Sequence, residues 1–203
     1  MEPEPFVLYL AWFGDGLHKV GISAERRGAG RLCEQAATSY CLVARGPYPS
    51  VQQAEVLLSS LGVAPERITS RSKQAAWWQI PPANERAAQL SAVHAAAADS
   101  IRTVPGVAIL EFQAVDLTSL FGLDRELASR YELVTTVRPG ATLRGEVSHV
   151  IGRSLVLGPS PIVFDSRLLE GWTLRRSDQP SYGFDVETRS READARAVQG
   201  TLF

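Results

Sequence analysis

Cysteine is nearly missing from this chain: only Cys33 and Cys41 occur among 203 residues. Two thiols make neither a disulfide framework nor a four-cysteine zinc site, and a reduced, cytoplasmic protein is the simplest expectation. An excess of one charge is missing too. Lys and Arg number 21 against 22 Asp and Glu, for a formal net charge of −1. No global basic field draws the chain to nucleic acid or membrane, so a local patch must carry any such role. No apolar run approaches the ~20 residues of a membrane span. The start, Met1 to Pro5, is acidic and proline-rich and does not read as a signal peptide. No repeat of solenoid period is present. What is present is 45% hydrophobic residues, enough for a full core in one large or two small domains.

The chain is organised around residues 6–31. Phe6 to Phe13 reads as a buried strand. Gly14-Asp15-Gly16 reads as a turn, too short for a phosphate loop, and Leu17 to Ser23 as a second strand; together they predict a β-hairpin. Gly21 within that strand marks a close backbone approach or a bulge. Residues 18–31 hold Lys19, Arg26, Arg27 and Arg31 against Glu25 alone, a local basic excess.

Further on, Arg31–Ala37 reads as a turn or two of helix and Tyr40–Arg45 as a strand. Ser50 is the expected N-cap of a helix that stops at Gly62, with Glu55 one step off its apolar stripe. The stretch 64–76 reads as a loop or short helical piece. Trp77-Trp78-Gln79-Ile80 reads as a strand, with the indoles packing a core, and Asn84 as the cap of an alanine-rich helix to about Arg102. Pro105-Gly106 is the expected domain boundary. Beyond it, strands are expected at 107–115, 133–137, 142–151, 154–157, 162–164 and 171–175, with a short helix within 116–129, together a small barrel or sandwich. Residues 177–203 read as an extended or mobile tail.

The hairpin and its sequel resemble the GIY-YIG nuclease core. That core has a tyrosine in its first strand and, about ten residues on, a tyrosine-apolar-glycine strand. A helix with an arginine follows, then a helix with a metal-binding glutamate. Tyr9 matches the first tyrosine. Lys19-Val20-Gly21 matches the second motif, with the lysine that several GIY-YIG-like subfamilies carry there. The ordered series Tyr9-Leu10-Ala11, Lys19 to Ser23, Arg31 to Ala37, Ala44 to Tyr48, Gln53 to Leu58 and Trp77-Trp78 also resembles the domain of unknown function numbered 2797. This second likeness extends to the Gly145–Leu174 region. Long members of that family begin with a cysteine-rich, zinc-binding part that this chain is expected to lack.

The resemblance implies an α+β fold: a small mixed or antiparallel sheet flanked by helices over 1–104, then a small β-rich domain over 105–176. It also implies a cytoplasmic, prokaryotic, Mg²⁺- or Mn²⁺-dependent endonuclease with one ion, acting on DNA that is branched or damaged, in replication or repair. A hard cation takes oxygen ligands and keeps several waters, so a single carboxylate can serve. Tyr9 is then the base or water-positioning group, Lys19 a phosphate ligand and Glu55 the metal ligand. Arg31 is the candidate arginine, with Arg27 as its alternative, and His18 a second proton-transfer group. Arg26, Arg27, Arg31 and Gln35 are the candidate nucleic-acid contacts; Gln35 either touches substrate or anchors the loop. His94 and His149 read as structural. The alternative is a catalytically weak nucleic-acid-binding or clamp-associated module of the same fold. The C-terminal Gln199-Gly200-Thr201-Leu202-Phe203 resembles the peptide that docks on bacterial sliding clamps, with Gln199, Leu202 and Phe203 as anchors.

Overall fold

A computed structural model describes residues 4–124, 128–158 and 161–190. Strand β1, Phe6–Gly14, is apolar at nearly every position, so it suits a site covered on both faces. It pairs antiparallel with β2, Leu17–Ala24, and with β3, Ser39–Gly46. Between β2 and β3 lies a short helix, α1, Gly30–Glu34. After β3 come α2, Tyr48–Ser60, and α3, Ser70–Ala76. A long helix follows, α4, Ala83–Ser100.

The period of two in β1 sorts its side chains between two cores. Leu8, Leu10 and Trp12 pack with Val51, Ala54 and Leu58 of α2 and Leu90 and Ala97 of α4. Tyr9, Ala11 and Phe13 face the other way, toward Leu32 of α1, Trp77, Trp78 and residues from the second half of the chain. The core of the expected first domain is thus walled by helices on one side and by a second sheet on the other.

Two-residue strands β4, Ala108–Ile109, and β5, Val115–Asp116, both pair with β3. The first sheet therefore continues past Pro105-Gly106. The second sheet holds β6, Arg130–Thr142, β7, Glu146–Ile151, β8, Ser154–Gly158, β9, Ile162–Asp165, and β10, Tyr182–Ser190. Its order is β10-β6-β9-β8-β7, with β6 and β9 parallel. Among the described residues it is one open sheet, in place of the expected barrel or sandwich. Its Tyr131, Ile151, Val156 and Val163 pack on the odd-residue side of β1, so the first sheet supplies the second layer. Trp78 stacks on Tyr131 with ring centroids 4.6 Å apart.

Several local expectations change: the long helix is capped at Pro82 and not at Asn84, and the expected strand at 107–115 is reduced to β4 and β5. Trp77–Gln79 is a 3₁₀ turn, because α3, capped by Thr69 at Ser72 N–H, runs straight into it and turns both indoles inward. The helix expected from Ser50 begins at Tyr48, since Pro47 is already extended and Pro49 suits its first turn. Residues 171–175 form no strand; a 3₁₀ turn at Ser166–Leu169, capped by Asp165, leads into exposed chain. Part of the expected tail is a nine-residue strand, β10, paired along β6. Among the described residues no helix is long and apolar enough to cross a membrane.

Candidate functional site

Strand β2 is an edge of the first sheet, yet its backbone is partly covered: Val20 N–H donates to Pro65 C=O at 3.1 Å. This contact brings the loop carrying Glu66 alongside Lys19. On the same side of the hairpin, Tyr9 lies directly opposite Gly21. A Cβ on Gly21 would sit 2.3 Å from the Tyr9 hydroxyl oxygen and 2.4 Å from Cζ. Glycine is needed because the phenol ring crosses the neighbouring strand at that point.

The ring ends at Gln35, the C-cap of α1. Gln35 Nε2 donates to Tyr9 Oη at 2.9 Å and to the Arg31 carbonyl at 3.2 Å. Lys19 Nζ donates to Gln35 Oε1 at 2.5 Å. These three bonds fix the amide's orientation, since a flipped amide would turn its N–H groups on an ammonium. They also leave the Tyr9 proton unused among the described residues, because Oη is the acceptor. The helix end holding Gln35 is itself constrained. Ala37 N–H bonds Leu32 C=O and Ala36 N–H bonds Cys33 C=O, a Schellman closure with Ala36 at φ 62° where glycine is usual.

Tyr9, Lys19, Gly21, Arg31 and Glu55 line one open groove of about 440 Å³, with Arg27 and Tyr48 at its edges. Their ionisations are coupled. Burial raises the Tyr9 phenol above its ordinary value; Gln35 and Arg31 pull it back and Glu55 pushes it up. Tyr9 is thus a neutral phenol in the groove. Burial lowers the Lys19 ammonium, Arg31 lowers it further, and Glu55 and Glu66 oppose them. Burial raises Glu55 above the usual carboxylate range, Glu66 adds to that, and Lys19 counters it.

Two candidate residues fall elsewhere. His18 projects to the opposite side of β2 from Lys19, as neighbours in a strand must. Its Nε2 is buried without a partner among the described residues, and burial lowers its pKa against the pull of Asp15. Proton transfer in the groove is therefore not its role. Arg26 pairs with Glu4 at 2.5 Å, outside the groove. Arg27 is held by Glu34 at 2.8 Å, and Arg31 lies 3.9 Å from the same carboxylate. Gln199, Leu202 and Phe203 lie outside the described residues. Sequence reasoning did not mark Glu66, whose charge reaches the groove through the fold of the 62–76 segment, which carries no periodic signal.

Among the described residues no three His, Cys, Asp or Glu side chains converge as a metal cage. The carboxylates that face the groove are Glu55 and, through its charge, Glu66. One or two carboxylates on a hard cation is the usual protein share of a magnesium site, with waters and phosphate oxygens supplying the rest. Burial and the charge of Glu66 raise Glu55, and a cation would offset both. The donor set therefore fits Mg²⁺ or Mn²⁺.

The family described as protein of unknown function (DUF2797) matches residues 1–174. The chain belongs to that family. No curated protein and no solved structure matches this DUF2797 chain.

Proposed function

We propose that this DUF2797 protein is a GIY-YIG-like, divalent-metal-dependent endonuclease that hydrolyses DNA phosphodiester bonds. The observation that carries the reading is the convergence of Tyr9, Lys19, Arg31 and Glu55, from β1, β2, α1 and α2, on one groove. They occur in the chain order that the resemblance requires.

Glu55, supported by Glu66, would hold the ion. When bound, the ion makes its water a better nucleophile and offsets phosphate charge. Arg31 and Lys19 supply fixed positive charge to a phosphate in the groove, where negative charge grows in the transition state. The Tyr9 hydroxyl offers its proton to a water or phosphate oxygen, since Gln35 already occupies it as acceptor. A raised pKa favours this positioning role over a phenolate base. Gln35 aligns Tyr9 and Lys19 with each other.

The test is cleavage of labelled single-stranded, duplex, flap and nicked DNA with Mg²⁺ or Mn²⁺. Cutting is expected in wild type and reduced by at least about 100-fold in Glu55→Ala and in Tyr9→Phe. Undiminished cutting by Glu55→Ala would reject the assignment. Binding without hydrolysis is the second reading. It is favoured by Lys19 in the second-tyrosine position, where its ammonium is held by Gln35.

A further inference from the structure

On the far side of Gln35 lies a second, smaller cavity of about 140 Å³. That is room for roughly four to five waters, or one phosphate group in their place. Its walls come from the end of α1, from α3, from the β7–β8 turn and from the turn after β9. Gly152 makes this meeting possible: its Cα side approaches the Ala36 backbone so closely that a Cβ would lie 3.1 Å from Ala36 N. The turn thereby seats Arg153 opposite Lys73.

The charges of this cavity are unevenly paired. Asp165 is taken by Arg167, whose Nη2 lies 2.6 Å from Oδ2 and whose Nε also bonds the carboxylate. Glu34 is taken by Arg27. Lys73 has only a neutral acceptor, the Gln35 carbonyl at 2.9 Å, and the Phe13 ring, 3.9 Å from Nζ to its centroid. The Arg153 guanidinium makes no hydrogen bond or ion pair among the described residues. Neutral donors share the walls. Gln74 Nε2 reaches the Ser154 hydroxyl at a long 3.4 Å. Trp77 is 5% exposed and its indole N–H has no acceptor among the described residues. The walls therefore hold three cations against two carboxylates: Glu34 and Asp165 each bond an arginine, Arg153 reaches Asp165 through its charge alone, and Lys73 has no carboxylate among the described residues.

We propose that this cavity is a phosphate-binding site in which Lys73 and Arg153 hold the anion. Oxygens of a tetrahedral anion can accept from donors arriving from several elements at once, and charge-assisted bonds to phosphate are the strong ones. The like charges of Lys19 and Arg153 press on Lys73, and an anion between Lys73 and Arg153 removes part of that repulsion. The site is separate from the groove and does not depend on hydrolysis there. The phosphate comes either from a free phosphorylated small molecule or from the end of a nucleic-acid strand.

Calorimetric titration of the full chain with inorganic phosphate tests this. Wild type should bind saturably. Lys73→Gln and Arg153→Gln should each weaken binding by about tenfold or more, while Arg31→Gln, whose side chain lines the groove and not the cavity, should not. Arg153 is an exposed turn residue, so its variant keeps the wild-type melting temperature and guards against misreading a folding defect. Absence of saturable binding, unchanged binding in Arg153→Gln, or loss confined to Arg31→Gln would each overturn the site. Oligonucleotides with a 5′-phosphate or a 5′-hydroxyl then separate the sources. A preference for the phosphorylated strand that vanishes in Arg153→Gln supports a strand end. Equal affinity for both, with inorganic phosphate still bound, supports a free phosphorylated compound.

Discussion

Arg86 and Lys73 are both cations withdrawn from water, and they are treated in opposite ways. Arg86 is 4% exposed, on α4. Its guanidinium donates to Ser39 Oγ at 3.0 Å, to the Pro81 carbonyl at 2.5 Å and to Asp116 at 2.5 Å. Asp116 in turn accepts from the Thr118 N–H and hydroxyl. Burial pushes the Asp116 carboxyl up, but the Thr118 bonds and Arg86 outweigh it and hold the group below its ordinary value. Lys73 has one carbonyl and an aromatic face, and its charged neighbours include two more cations, Lys19 and Arg153. A buried charge surrounded by acceptors and a carboxylate locks β3, β5 and α4 together. A half-buried charge left short of acceptors is a place where a ligand completes the coordination.

The sharpest way to break this comparison is to remove the satisfied cation. Arg86→Ala leaves the Ser39 hydroxyl and Pro81 carbonyl without their partner and opens a cavity beside Trp12. The expected loss is about 3 kcal/mol, a fall in melting temperature of roughly 6–12 °C. Thermal unfolding reads it. A shift no larger than that of Lys73→Gln would mean that the network on α4 is not the structural lock described.

Next in size is the contact between Gly21 and Tyr9. Gly21→Ala drives a methyl into the phenol ring, which is backed by a packed core and has no easy retreat. The expected cost is about 2 kcal/mol in wild type. In a Tyr9→Ala background the same change should cost almost nothing, so the double-mutant cycle should show a coupling of similar size. Additive losses would place the strain elsewhere than at this crossing.

These residues also show what was legible in the sequence. The hairpin, α2 and α4 could be read because their apolar spacing is a local property. Tyr9, Lys19, Arg31 and Glu55 were singled out because each lies on such an element and matches a motif in order. His18 was misplaced by one residue's worth of geometry: it neighbours Lys19 in the chain and faces the opposite way in the strand. Trp77-Trp78 reads as a strand and folds as a 3₁₀ turn, because a short apolar run fits a strand or a buried helical turn equally well. Lys73, Arg153 and Arg167 lie up to 94 positions apart in numbering terms of 73 and 167. They meet only because the second sheet docks on the odd-residue side of β1, and no local pattern encodes that docking.

The smallest expected effect is the pH dependence that Lys73 contributes. Burial, with Lys19 and Arg153 adding to it, pushes its ammonium down to about 8 from an ordinary 10.5. Glu34, Asp165 and Arg167 complete the charged groups around that cavity, and the two carboxylates already carry arginine partners. Between those two pH values the unfolded chain keeps the lysine proton and the folded chain does not. Stability therefore rises with pH across that window, and below it the folded protein bears the full cost of the charge. Lys73→Met removes the titrating group while keeping a long apolar stem. Relative to this variant, wild type should gain about 1 kcal/mol from pH 7.5 to 10, a figure discounted for solvent screening of a half-buried amine. Arg86→Met, measured the same way, should leave the wild-type slope as it is. Inorganic phosphate should flatten the Lys73 slope, because an anion in the cavity stabilises the ammonium. A slope that persists unchanged at saturating phosphate would separate the lysine's titration from the anion site.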